Sequence, residues 1–240
     1  MLSYGKTDIG LKRSMNQDSL YYSDEPVGNL PNLYIVADGM GGHKAGDYAS
    51  SYAVRRFVEF AKRCEDANPI TIMKKGIRTV NEGILAASRE KEELSGMGTT
   101  FVIAVVEDHH LYVANIGDSR LYVLSKDAIR QITLDHSLVE ELIRTGQLDP
   151  LKVRNHPEKN IITRALGVSE EAVPDFFELE LHMDEKVLMC SDGLTNMVED
   201  DEILNIITEA GRPRAAVERL IERANYYGGK DNIAALVVAQ

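Results

Sequence analysis

Four aspartates in this chain each stand at the boundary between an apolar, strand-like run and a tight turn marked by glycine or asparagine. They are Asp38 in YIVADGMGG, Asp118 in YVANIGDSR, Asp192 in VLMCSDGL and Asp231 in GGKDNIAALVV. A carboxylate at a strand end is held by a rigid sheet yet still faces water. One such residue says little, because Asp-Gly is also ordinary turn chemistry. Repetition at four strand ends restricts the fold: the simplest arrangement brings those ends together around a cation.

Strand-like runs rich in Val, Ile and Tyr occupy residues 33–37, 99–106, 111–115, 120–124, 176–181, 186–190 and 233–239. Their short connections suit antiparallel pairing. The stretch 99–133 reads as a meander, with Ser119 and Arg120 completing a hairpin turn. Helical periodicity places one apolar stripe on Ala49, Ala53, Phe57, Phe60 and Cys64. A second stripe runs through Ile70, Met73, Ile77, Val80, Ile84 and Ala87, with Asn68 as cap and Pro69 at the first helical position. Ser137 and Glu140 make a capping box for a short helix ending near Gly146, and two further helices fall at 199–209 and 214–225. Strands clustered apart from paired helices predict an α+β fold, helices packed outside sheets, over alternating βαβ units. No linker or repeat divides the chain, so a single domain over 1–240 is expected. Residues 147–160, with two prolines and mixed charge, read as an irregular surface insertion of the kind that borders sites.

The formal charge of −11 argues against nucleic acid or an anionic membrane as partner. Apolar runs are strand-length and no signal peptide opens the sequence, which predicts a soluble cytoplasmic protein. Cys64 and Cys190 lie in apolar patterns and read as reduced core thiols.

Several phosphate chemistries fail on spacing. GMGGHKAG is not a P-loop, and counting from Gly39 the sixth position of a dinucleotide fingerprint is Lys44. A cysteine-dependent phosphatase wants an arginine six residues after its nucleophile, where Cys190 finds Asn196. An aspartyl-phosphate mechanism wants a second Asp two residues from the first, where Asp38 finds Val36 and Met40. Zinc is disfavoured too, since the histidines show no HExxH and neither cysteine has a CxxC partner. What remains suits hard divalent cations, Mg²⁺ or Mn²⁺, which prefer carboxylate and carbonyl oxygens. Asp38, Asp192 and Asp231 can supply the carboxylates, and Gly39 lets its backbone carbonyl approach closely. Arg13, in GLKRSMNQD, has two readings: a surface arginine paired with Asp8 or Asp18, or a fork gripping phosphate oxygens.

The series GLKRSMNQD, VADGMGGHKAGDYAS, GMGTTFV, NIGDSRLY, TLDHS, ITRALG, CSDGL and KDNIAALVV resembles, in matching order and interval, the bacterial metal-dependent protein phosphatase 2C family. The resemblance implies two antiparallel sheets packed face to face with helices outside each, a four-layer αββα sandwich. It implies hydrolysis of phosphoserine and phosphothreonine in proteins by metal-activated water attacking in line, with no covalent intermediate. It also implies a centre of two Mn²⁺ or Mg²⁺ ions, with a possible third. Carried over by position, Asp38 bridges the metals, Asp192 and Asp231 hold the first, and the Gly39 carbonyl and, through water, Asp18 serve the second. Asp118, with Asp192, matches the third-metal ligands. Arg13 matches the phosphate-binding arginine, and residues 137–165 match a flap beside the site. A Ser/Thr kinase is the implied regulatory partner, no sensor or membrane anchor is fused to the domain, and a monomer is expected. Two positions depart from the family. Gln17 replaces a common acidic neighbour of Asp18, and Met40 stands where animal relatives place a candidate acid histidine. His43 is therefore read as a helix-start or packing residue, and His136 as a structural turn residue.

Overall fold

A computed structural model describes residues 1–42, 45–149, 152 and 156–240. Among the described residues there are eleven strands: β1 (Leu2–Asp8), β2 (Asp18–Ser23), β3 (Leu33–Met40), β4 (Gly98–Thr99), β5 (Phe101–Glu107), β6 (His110–Ile116), β7 (Arg120–Leu124), β8 (Ile129–Gln131), β9 (Asp175–Glu180), β10 (Lys186–Cys190) and β11 (Ile233–Ala239). The helices are α1 (Ala45–Ala61), α2 (Pro69–Glu90), α3 (Leu138–Arg144), α4 (Asp192–Thr195), α5 (Asp200–Ala210) and α6 (Pro213–Tyr226), with a 3₁₀ turn at Glu92–Leu94. His43, read above as a helix-start residue, lies outside the described residues, as does part of the 147–160 insertion. No helix among the described residues is long and apolar enough to cross a membrane.

The strands form two antiparallel sheets, ordered β1-β11-β10-β7-β8 and β2-β3-β5-β6-β9, with β4 pairing β3. Side chains alternate across each strand, and here both faces are apolar. In β3, Leu33, Ile35 and Ala37 face α1 and α2, while Tyr34 and Val36 join Val102, Leu121, Val187, Met189 and Leu236 between the sheets. Leu188 and Cys190 of β10, with Ala235 and Val237 of β11, pack instead on α5 and α6. Three apolar layers thus separate four structural ones, and the expected αββα sandwich is what the chain forms. Burial on both faces explains why these strands read as continuous apolar runs rather than as alternating ones.

The expected meander over 99–133 is not formed. β5 and β6 pair with each other in one sheet, whereas β7 and β8 pair in the other. At the crossover Gly117 takes φ +112°, and a Cβ there would meet the Thr100 side chain at 2.6 Å. The chain turns tightly over β5 and leaves the sheet. Ser119 and Arg120 therefore complete a passage between sheets, and the hairpin assigned to them is corrected. A short connection does not distinguish these outcomes in sequence.

Helix starts follow local chemistry. Asn68 Oδ1 accepts the Thr71 N–H at 2.9 Å, with Pro69 behind it, and Ser137 Oγ accepts the Glu140 N–H at 3.3 Å. Each satisfies a backbone donor that the first turn leaves unpaired.

Candidate metal centre

Asp18 opens β2 and Asp38 lies near the end of β3, and the two are directly opposite one another in the antiparallel register. Like charges opposed across strands destabilise a sheet, so this pair calls for something positive beside it. The Asp38 backbone is clamped from the neighbouring β4–β5 segment. Its N–H donates to Thr100 Oγ1 at 2.9 Å, and its carbonyl accepts from the Thr100 N–H and from Thr99 Oγ1, each at 2.9 Å. Gly39 follows because nothing larger fits: a Cβ would stand 2.0 Å from the Gly46 carbonyl oxygen. Its N–H donates to the Gln17 carbonyl at 3.0 Å.

The opposite sheet supplies the facing wall. β10 ends at Cys190, and Ser191 donates its hydroxyl to Asp18 Oδ2 at 2.6 Å while accepting the Ala234 N–H at 2.9 Å. Asp192 then opens the single turn of α4, where its Oδ2 accepts from Asn196 Nδ2 at 2.8 Å. Asp231 precedes β11, and its Oδ2 takes Arg13 Nη2 at 2.7 Å. Its neighbour Asn232 fixes the loop that bears Arg13. The Asn232 amide donates to the carbonyls of Ile9 and Met15, both at 2.9 Å, and its Oδ1 accepts the Gln17 N–H at 2.9 Å.

Asp118 sits in the crossover between β6 and β7. His136 holds that turn: its Nδ1 accepts the Gly117 N–H at 3.1 Å and its backbone N–H donates to the Gly117 carbonyl at 3.0 Å. This places the ring proton on Nε2, facing Asp175 Oδ2 at 3.0 Å. Arg120 pairs with Asp135 through both carboxylate oxygens, Nε to Oδ1 at 3.0 Å and Nη2 to Oδ2 at 2.7 Å. Thr100 Oγ1 and Ser119 Oγ, 2.7 Å apart, tie the Asp118 turn to the Asp38 clamp.

Asp38, Gly39, Asp118, Asp192, Asp231 and Arg13 line one cavity of about 260 Å³. Asp18 stands behind Asp38, 6% exposed. Burial, with the charges of Asp18, Asp192 and Asp118 behind it, pushes the Asp38 carboxyl well above the usual carboxylate range. Burial is also the main cause of the rise of Asp18 to about 7, Asp118 to about 8 and Asp192 to about 6, and in each a neighbouring aspartate adds to it. Asp18 Oδ1, fully buried, has no hydrogen-bond donor among the described residues. Among those residues no three acidic, histidine or cysteine side chains are drawn together as a closed ligand set. Asp18, Asp192 and Asp231 each accept a hydrogen bond, from Ser191, Asn196 and Arg13 respectively. An all-oxygen donor set, an orphaned buried carboxylate oxygen and several acids displaced towards their neutral forms together fit hard divalent cations.

The structure brings together every residue expected at the site. It corrects one pairing: Arg13 meets Asp231, not Asp8 or Asp18. His136 is the structural turn residue it was read as. Thr99, Thr100, Ser119, Ser191, Asn196 and Asn232 have roles that sequence reasoning did not assign. The adjacent hydroxyls in GMGTTFV and the Asn directly after Asp231 were the available signals.

Among known proteins, the protein phosphatase 2C family model matches residues 10–233. The serine/threonine phosphatase stp of Listeria monocytogenes is 43% identical over 97% of this chain and 93% of its own length. The crystal structure of the serine/threonine phosphatase Stp1 from Staphylococcus aureus superposes with a TM-score of 0.93 at 34% identity, covering 100% of this chain and 95% of that one. The catalytic domain of the serine/threonine protein phosphatase PstP, solved in complex with 2 manganese ions, has a TM-score of 0.87 at 31% identity and covers 98% of this chain and 96% of that one.

Proposed function

We propose, for a chain that belongs to the protein phosphatase 2C family and is a serine/threonine protein phosphatase, that the aspartate-lined cavity holds a pair of divalent cations, manganese or magnesium. In this reading Asp38 bridges the two, Asp192 and Asp231 hold the first, and the Gly39 carbonyl and, through water, Asp18 serve the second. Asp118 joins Asp192 toward a third. When bound, such cations supply an activated water and offset charge on a phosphoryl group in transfer. The observation that carries this is the gathering of carboxylates from both sheets into one cavity, with Asp18 Oδ1 buried and unpaired. Arg13 spends Nη2 on Asp231, and the rest of its fork serves non-bridging phosphate oxygens.

The chain over 1–240 is one catalytic domain, with a flap at about 137–165. The base of the flap is pinned where Leu138 N–H donates to the Ile161 carbonyl at 2.9 Å and Thr163 N–H to the His136 carbonyl at 2.7 Å. Asn160 and Ile162 line the cavity beyond it. The substrates are phosphoproteins, and a Ser/Thr kinase whose phosphorylation is reversed is the regulatory partner. Free thiols at Cys64 and Cys190 suit the reducing cytoplasm. The charge of −11 suits a monomer working away from nucleic acid and membrane surfaces.

The test is phosphate release from a phosphothreonine peptide with and without Mn²⁺, for wild type and Asp192→Asn, both checked for folding by thermal melting. Release requires Mn²⁺ and falls on the order of 100-fold or more in the variant. Equal rates in all four conditions overturn the assignment.

A further inference from the structure

Next to the aspartate-lined cavity lies a second one of about 390 Å³, which shares Arg13, Asn160 and Asp231 with the first. The Arg13–Asp231 ion pair, 2.7 Å long, lines both. The second cavity adds Lys159 and Lys230, with Asn196 and Met197 behind. Among the described residues lining this depression, three cations outnumber one carboxylate, Asp231, against the prevailing sign of a chain that carries −11, and an excess of one charge around a concave wall concentrates its field on whatever enters.

The placement of these cations is built in. Lys159 donates to Asn196 Oδ1 at 2.9 Å, and its charge also acts on Asp192. Lys230 follows the Gly228–Gly229 turn, where both residues take positive φ. That turn is fastened to the Arg13 loop by the Leu11 N–H donating to the Gly229 carbonyl at 2.7 Å. Lys230 makes no ion pair among the described residues. Among the described residues of the cavity lining, its one carboxylate neighbour is Asp231, already engaged by Arg13.

We infer that this second cavity is a subsite for an anionic group on the substrate, a phosphate or carboxylate carried beside the phosphoresidue being hydrolysed. Lys230 and Lys159 are then specificity-determining residues. The inference rests on the phosphatase reading of the first cavity. An extended peptide advances about 3.3–3.6 Å per residue, so two cavities with a common wall are served by side chains close together in sequence. Lysine suits the task because it binds phosphate or carboxylate as a point charge and imposes no bidentate geometry.

The experiment compares initial rates of phosphate release, with Mn²⁺, from three phosphothreonine peptides that differ in the flanking residue: neutral, glutamate, or a non-hydrolysable phosphonate. Wild type favours an anionic flank by about tenfold in kcat/KM, equivalent to about 1.4 kcal/mol. The gain lies in KM, because the flank interacts equally before and during reaction, and it shrinks as salt rises. Lys230→Ala reduces the preference and Lys230→Glu reverses it, each read as the ratio of anionic to neutral peptide within one variant, so that any common loss of rate cancels. Preference for the phosphonate alone identifies phosphate as the anion; equal preference for glutamate identifies any anion. Indifference of wild type to the flank, with all three peptides hydrolysed, overturns the subsite and leaves the phosphatase standing. Hydrolysis of none overturns both.

Discussion

Asn232 shows how much one side chain organises. It spends both amide hydrogens and its oxygen on the backbone of residues 9–17, the loop that carries Arg13 to Asp231. Removing three partly buried hydrogen bonds at about 1 kcal/mol each predicts that Asn232→Ala lowers stability by about 3 kcal/mol in urea unfolding. Loosening Arg13 also costs on the order of tenfold in kcat/KM toward phosphopeptides, since small misplacements of a positioning group are expensive. Asn232→Asp keeps the acceptor but loses both donors, so it falls between alanine and wild type in stability. A variant as stable as wild type contradicts this account. Short polar residues of this kind are nearly silent in sequence: Asn beside Asp and Gly reads as turn chemistry, and only the fold shows what it grips.

At the scale of the element, what was legible depended on burial. β3, β5, β10 and β11 announce themselves because both of their faces are apolar. β1 and β2, each at the edge of its sheet, are half-polar, and β1 contains Gly5 and Lys6. They went unrecognised because a strand with one partner has no need of an apolar run. The aspartates were readable as a set because each ends or begins such a run. That β6 and β7 part company was not, since a glycine turn serves a hairpin and a crossover alike. α4, only four residues long, is too short for any periodicity, yet it aims Asp192. Its placement depends on Gly193, where a Cβ would lie 1.8 Å from the Asn232 carbonyl oxygen. Gly193→Ala therefore displaces the turn and costs about 3 kcal/mol or more, read as a lowered melting temperature together with loss of Mn²⁺-dependent activity.

Across the whole molecule, the crowded carboxylates couple stability to pH. Asp18, Asp192 and Asp118 are raised from 3.8 to about 7, 6 and 8. A carboxyl raised in the folded state favours folding while it is protonated, and that advantage is lost as pH climbs through the folded value. Without divalent metal, the melting temperature should therefore fall between pH 5.5 and pH 8, by about 2–4 °C for each kcal/mol lost. Asp38→Asn should flatten the fall by removing one carboxyl that burial and its neighbours raise. Mn²⁺ should raise the melting temperature most at pH 8, where the ligands are ionised and bind it best. A metal-free protein more stable at pH 8 than at pH 5.5 would refute the coupling. The same architecture governs when the protein becomes competent. Asp18 and Asp38 belong to one sheet, Asp192 and Asp231 border the other, and Asp118 sits in the passage between them. A chain with one sheet formed holds only half of the constellation, so the site comes into being when the layer between the sheets closes. An unfinished molecule, on a ribosome or in refolding, is silent toward phosphoproteins, and the onset of activity marks the docking of one sheet on the other.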